Sequence, residues 1–233
     1  MSRIRPRLWP TLIALPAFLI LIGLGIWQMD RLAWKTELLA TIDARMSAPA
    51  VAMPAAIDDP SAWDYRRVTV DGTFEPGQTL RLVSRVHAGQ AGEQVIVPLV
   101  RDDVERPGPI VLVDQGWVPN GWQPDAGTVE GTVTGILHVP TRPGWLQPAN
   151  DPQANTWFFV DLDAMAAAVG AAQIFPMVLY QDAGPSDTFP IGGQLRVDLP
   201  NNHLNYAITW FSLALVLLVI YVLFHLRRPS EKT

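Results

Sequence analysis

Cysteine is absent from all 233 residues. That excludes disulfides, thiolate zinc sites, iron–sulfur clusters, covalent c-type haem, cysteine nucleophiles and a thiol route to copper. A domain exported without cysteine is held by its core alone. Histidine is scarce, at four residues, which leaves little for chemistry that needs several imidazoles. Basic residues are outnumbered, 17 against 22 acidic, and a net charge of −5 gives no footprint for nucleic acid. There is no internal repeat. No Ser/His/Asp order, glycine-rich phosphate loop or pair of acids in a clear frame suggests an enzyme.

The chain is 49% hydrophobic, and the excess is concentrated at its two ends. Leu8 to Met29 and Tyr206 to Leu226 are runs of 22 and 21 residues without Asp, Glu, Lys or Arg. As helices they span about 33 and 31 Å, enough to cross a bilayer core. The first run could be a secretory signal, but it is long for one and no small-x-small cleavage pattern follows it. We read it as an uncleaved anchor, with Trp9 and Trp27 as interfacial aromatics and with Pro10 and Pro16 as sources of tilt or kink. Arg3, Arg5 and Arg7 precede this span, and Arg227, Arg228 and Lys232 follow the other. Those six leave 11 basic residues between them, against 21 of the 22 acidic ones, an excess of ten negative charges. The positive-inside bias therefore puts both termini in the cytoplasm and Asp30 to Asn205 outside. In a bacterium this means an inner-membrane protein with a periplasmic domain; a mitochondrial protein would need a presequence, and seven residues before the span leave no room for one.

Six segments follow from this reading. Residues 1–7 are a cytoplasmic tail and 8–29 a transmembrane helix. Residues 30–60 form an amphipathic extension and a linker, since Leu32, Lys35, Leu38, Leu39, Ile42 and Met46 recur at helical spacing before Pro49, Pro54 and Pro60. Residues 61–200 are β-rich, 201–226 the second span, and 227–233 a cytoplasmic tail. Within the β-rich part, period-two runs predict strands at Tyr65–Phe74 (broken near Asp71-Gly72), Gln78–Val86, Glu93–Val100, Ile110–Val118 and Val129–Val139. The first two form a hairpin around Pro76-Gly77. A short strand at Thr156–Val160 leads into a helix, Asp161 to Val169, capped by Asp161 and ended at Gly170. Strands at Phe175–Gln181 and Gln194–Leu199 complete the set. The expected fold is a membrane protein in which two transmembrane α-helices flank a β-rich α+β periplasmic domain, an antiparallel sheet or partly closed barrel.

Three stretches carry a family likeness. They are Leu24-Gly25-Ile26-Trp27-Gln28-Met29-Asp30-Arg31-Leu32-Ala33-Trp34-Lys35 leaving the first span, Tyr65-Arg66-Arg67-Val68-Thr69-Val70-Asp71-Gly72-Thr73-Phe74 with Val113-Asp114-Gln115-Gly116-Trp117-Val118-Pro119 in the domain, and Asn202-His203-Leu204-Asn205-Tyr206-Ala207-Ile208-Thr209-Trp210-Phe211 entering the second span. Together they resemble the surfeit locus protein 1 family, assembly factors of haem-copper cytochrome c oxidase. The resemblance covers Gly23 to His225. It implies a non-catalytic role in building oxidase subunit I, in company with other assembly factors. It also implies binding and delivery of haem a in bacterial members, through a histidine that here matches His203.

The residues are compatible with that role. His203 lies near a helix N-terminus, with Asn201 or Asn202 as cap, where the helix dipole favours the neutral, metal-ligating imidazole. Residue type alone equally suits an interfacial histidine facing headgroups. His203, Tyr206 or Ala207, Trp210 and Ala214 share one helical face, suited to a porphyrin or to ordinary helix packing. Trp27 leaves the membrane at the depth where Tyr206 enters it. Arg31 and Lys35, four apart, stand just above that level, as partners for propionates or as solvated charges. His203 is the expected axial ligand to haem iron. His225 is about 33 Å away along the helix and reads as an interfacial residue. His87 and His138 lack partners at metal spacing, and Asp58-Asp59 and Asp102-Asp103 read as solvated turns. The rival reading is a cofactor-free chaperone whose helices and Trp-rich loops (Trp117, Trp122, Trp145, Trp157) hold incomplete subunit I.

Overall fold

The computed structural model describes residues 8–104, 108–124, 129–141, 143–185, 188–197 and 199–226. In chain order the elements are α1 (Leu8–Ser47), β1 (Val51–Ala52), α2 (Pro60–Trp63), β2 (Arg67–Phe74), β3 (Leu80–His87), β4 (Gln90–Arg101), β5 (Ile110–Pro119), β6 (Val129–His138), β7 (Thr156–Trp157), α3 (Leu162–Ala168), β8 (Ile174–Gln181) and α4 (His203–Leu226). They divide into a terminal unit, drawn from the chain up to Thr41 and from Asp198 onward, and a central unit, Ile42–Val197.

The terminal unit is an antiparallel pair of helices, both long and apolar enough to cross a membrane. α1 runs without interruption through Pro16 and past the uncharged run to Ser47. Its less exposed positions include Thr11, Ala14, Phe18, Leu21, Gly25, Gln28, Leu32 and Lys35. On α4 they include His203, Ala207, Trp210, Ala214, Leu217 and Tyr221. Steps of alternately three and four make a seam of period 3.5, the repeat that lets two helices stay in register along their length. The small residues set the approach: a Cβ on Gly25 would lie 2.4 Å from the Phe211 ring. Ala207 and Ala214 are each 1% exposed.

The central unit is one eight-stranded sheet. It is mixed rather than purely antiparallel, which corrects the antiparallel alternative: β1–β2, β3–β7 and β5–β8 are parallel pairs. The hairpin-like spacing of the early strands hid this, because β8 returns beside β5 only after β6, β7 and α3 have intervened, and such a crossover permits a parallel pair. The sheet also closes. β2, β6, β8, β5 and β4 are successive neighbours, and β4 pairs back onto β2 from Gly72↔Arg101 to Phe74↔Leu99. Gly72 sits at the closure, where a Cβ would be 2.5 Å from the Val100 carbonyl. The strand therefore runs through Asp71-Gly72 instead of breaking there.

Side-chain alternation sorts two cores. Val68, Val70, Val97, Leu99, Val111, Val113, Met177 and Leu179 share one. Leu80, Leu82, Ile96, Leu112, Val178 and Trp157 pack with Met165 of α3 in the other. β4, β5 and β8 feed both cores and so read as nearly continuous apolar runs, whereas β2 feeds one and alternates. α3 has the predicted caps: Asp161 accepts from the Ala164 N–H at 3.1 Å, and Gly170 follows at φ +67°. Two further expectations fail. β3 pairs with β4 and β7, not in a hairpin with β2, because a 3₁₀ turn at Pro76–Gln78 redirects the chain. The described residues of Gln194–Leu199 form no strand; the neighbouring Ile191 makes a single bridge to Trp117.

Candidate functional site

α4 begins at His203, and the Asn202 carbonyl accepts the first intrahelical bond, from the Tyr206 N–H at 3.3 Å. Asn202 is thus the N-cap residue by backbone. Asn201 Oδ1 is buried without a partner among the described residues. His203 is half-buried, and its Nδ1 donates to Oε1 of Gln28 on α1 at 2.7 Å. Gln28 is 8% exposed, and it is the only amide side chain in the apolar run of the first helix. At the other end of the pair the Thr11 and Tyr221 hydroxyls are 2.7 Å apart. These two polar contacts, with apolar packing between, fix the register of the helices.

The other residues singled out from sequence surround this point unevenly. Trp27 and Tyr206 keep about half their surface exposed, at 52% and 56%. Trp210 is half-buried in the seam, and Ala207 and Ala214 pack inside it. Arg31 is exposed, with its guanidinium 4.5 Å over the Trp34 ring. The Lys35 ammonium donates to the Pro200 carbonyl. His225 is 9% exposed, and its Nδ1 donates to the Tyr221 carbonyl at 2.8 Å. Among the described residues no group of three or more His, Cys, Asp or Glu could hold a metal ion. A single imidazole of this kind suits axial ligation of an iron whose other ligands come from a porphyrin. The contact of Gly25 with Phe211 leaves no room for such a ring inside the seam at that level.

The central unit holds a second polar cluster. Asp114 is 1% exposed; Oδ1 accepts from the Gly116 N–H at 2.9 Å, and Oδ2 has no hydrogen-bond partner among the described residues. Burial pushes its carboxyl up to about 7, against the opposing pull of the Gly116 bond and of Arg85. Burial also pushes the Arg85 guanidinium down, while Asp114 and Tyr180 hold it up. Gly116 has φ +123°, and a Cβ there would lie 1.9 Å from the Ile191 carbonyl. Trp117 and Ile191 exchange backbone bonds of 2.9 and 2.8 Å. The Asp114-Gln115-Gly116-Trp117 stretch is therefore a docking point for the strand-like segment at Ile191. His138 Nδ1 donates to Asp64 at 2.8 Å, and His87 Nδ1 is buried without a partner among the described residues. The acidic pairs are not simply solvated turns: Asp59 caps α2, and Asp103 binds the buried Arg101 at 2.6 Å.

The architecture is of the class in which two terminal helices, each long and apolar enough to cross a membrane, flank a closed β-rich domain, and here His203 at the start of the second helix is bonded to the first. Within it the chain belongs to the SURF1 family, whose profile matches residues 15–215. A SURF1-like protein of Monosiga brevicollis is 36% identical over 216 residues, covering 86% of this chain and 81% of that protein. Surfeit locus protein 1 of Homo sapiens is 33% identical over 213 residues, 82% of this chain and 69% of its own. A SURF1-like protein of Drosophila melanogaster is 32% identical over 238 residues, 91% and 75% respectively.

Two residues escaped sequence reasoning. Gln28 lies inside the first quoted stretch, and its signal was an amide at a seam position of an otherwise apolar run. Asp114 lies inside another, and its signal was a carboxylate in a strand whose neighbours Leu112 and Val113 are both apolar.

Proposed function

We propose that this protein is a membrane-anchored assembly factor for haem-copper cytochrome c oxidase that binds haem a through His203 and presents it to subunit I. It acts by binding and release, without catalysing a reaction. α1 and α4 cross the inner membrane of a bacterium with both termini in the cytoplasm and the central unit in the periplasm. The arginines outside the apolar runs support that orientation. Membership of the SURF1 family supports the oxidase role.

The observation that carries the haem reading is His203 itself, a half-buried imidazole at the start of α4 with Nδ1 engaged across the helix pair. Haem a would bring a planar apolar ring, two propionates and an iron that accepts an axial imidazole. His203 supplies that imidazole. Tyr206 and Trp27, each about half exposed, would offer aromatic surface for the porphyrin on the outside of the pair rather than in its closed seam. Trp210, half-buried, limits how deeply a ring could enter. Arg31, steadied on Trp34, and Lys35, hydrogen-bonded to Pro200, supply positive charge for the propionates. A strain lacking this protein is expected to lose haem a from its oxidase, and a plasmid copy to restore it. A His203→Ala copy that restores the oxidase fully would contradict the haem reading.

One observation favours the cofactor-free chaperone as a second reading. Trp145 and Leu146 are 92% and 75% exposed on a turn held by Gln147, whose amide also donates to the Phe158 carbonyl. Such a displayed aromatic suits a protein partner. Trp117 and Trp157, by contrast, are core residues at 2% and 0%. Loss of oxidase in a Trp145→Ala, Leu146→Ala copy, with His203 dispensable, is the pattern expected of the chaperone.

A further inference from the structure

We infer that Gln28 is a positioning residue that holds His203 in the Nδ1–H tautomer and so makes Nε2 the atom offered to a metal. The inference rests on the reading of His203 as an iron ligand and adds a residue from the opposite helix to it. An amide oxygen only accepts hydrogen bonds, so the 2.7 Å contact from Gln28 Oε1 requires the proton to be on Nδ1. A neutral imidazole protonated there carries its lone pair on Nε2. Gln28 has little freedom to do otherwise: it is 8% exposed, on the seam of α1, one helical turn from the tight Gly25–Phe211 contact. Its neighbours on that seam are apolar or small, and a buried amide without a partner is costly in such surroundings. The ring of His203 is thereby fixed both in tautomer and in direction. This is the arrangement by which outer partners commonly tune a metal-ligating histidine.

The test has two readouts on the full-length protein in detergent. The first needs no haem: nitrogen NMR of protein labelled at histidine, recorded where the ring is neutral, in wild type, Gln28→Glu and Gln28→Leu. Wild type and Gln28→Glu, which also accepts from Nδ1–H, are expected to show His203 protonated on Nδ1. Gln28→Leu is expected to move the proton toward Nε2. The second readout is haem a retained after purification from cells that make it. It is expected to fall about 10- to 100-fold in Gln28→Leu and to be kept in Gln28→Glu. Protonation on Nε2 in wild type, or an unchanged tautomer in Gln28→Leu, overturns the role of Gln28. The expected tautomer shift without haem in any variant leaves the positioning intact and refutes the ligand reading instead. Circular dichroism keeps the comparison to variants with unchanged helix content, and Gln28→Glu serves as the folded control.

Discussion

Asp114 shows how one buried group can set the behaviour of a domain. Its folded carboxyl titrates at about 7 because burial penalises the charged form. An unfolded chain would release that proton near pH 4. The fold therefore holds the proton more tightly than the unfolded chain. The resulting stabilisation is complete below about pH 4 and is lost as pH rises through 7. Thermal unfolding of the purified protein from pH 5 to 8 is expected to show a falling transition for the central unit, worth on the order of a few kcal/mol. Asp114→Asn should flatten that slope while keeping an acceptor for the Gly116 N–H. Identical slopes in the two proteins would remove Asp114 as the cause.

Among the elements, the α1–α4 pair makes the sharpest forecast, because two nearby glycines differ. A Cβ on Gly25 would meet the Phe211 ring, whereas Gly23 has nothing within 4 Å. Gly25→Val is expected to destabilise the terminal unit by about 1–3 kcal/mol through overpacking, and Gly23→Val to do far less. Comparative unfolding in detergent measures the difference; equal effects would mean the helices do not pack at Gly25. Much of this scale was legible in the chain. The two apolar runs, the extension of α1 past Arg31, and the caps of α3 follow from periodicity and cap chemistry. Strand pairing was not, because partners distant in sequence decide it: β3 looks like the second arm of a hairpin until β4 and β7 claim it, and Gly72 looks like a break until β4 crosses it. His203 was visible as a residue type at a helix start. Its partner Gln28 was not, since spacing within one helix says nothing about which residue faces it from another.

For the molecule as a whole, the account rests on orientation and cargo. A chain without native cysteine lets a single introduced thiol report topology cleanly. Trp145→Cys, at an exposed position of the central unit, is expected to react with a membrane-impermeant maleimide in intact cells whose outer membrane is permeabilised. A cysteine added to the C-terminus should react only after lysis. The reverse pattern would invert the orientation drawn from the arginines. The central claim, that His203 holds haem a, is tested most directly by the absorption spectrum of the detergent-purified protein, wild type beside His203→Ala, made in cells that produce haem a. The account predicts a haem a spectrum in the wild type and its loss in the variant, with helix content unchanged. Haem kept at the wild-type level in His203→Ala, or found in neither protein despite supply, would contradict it.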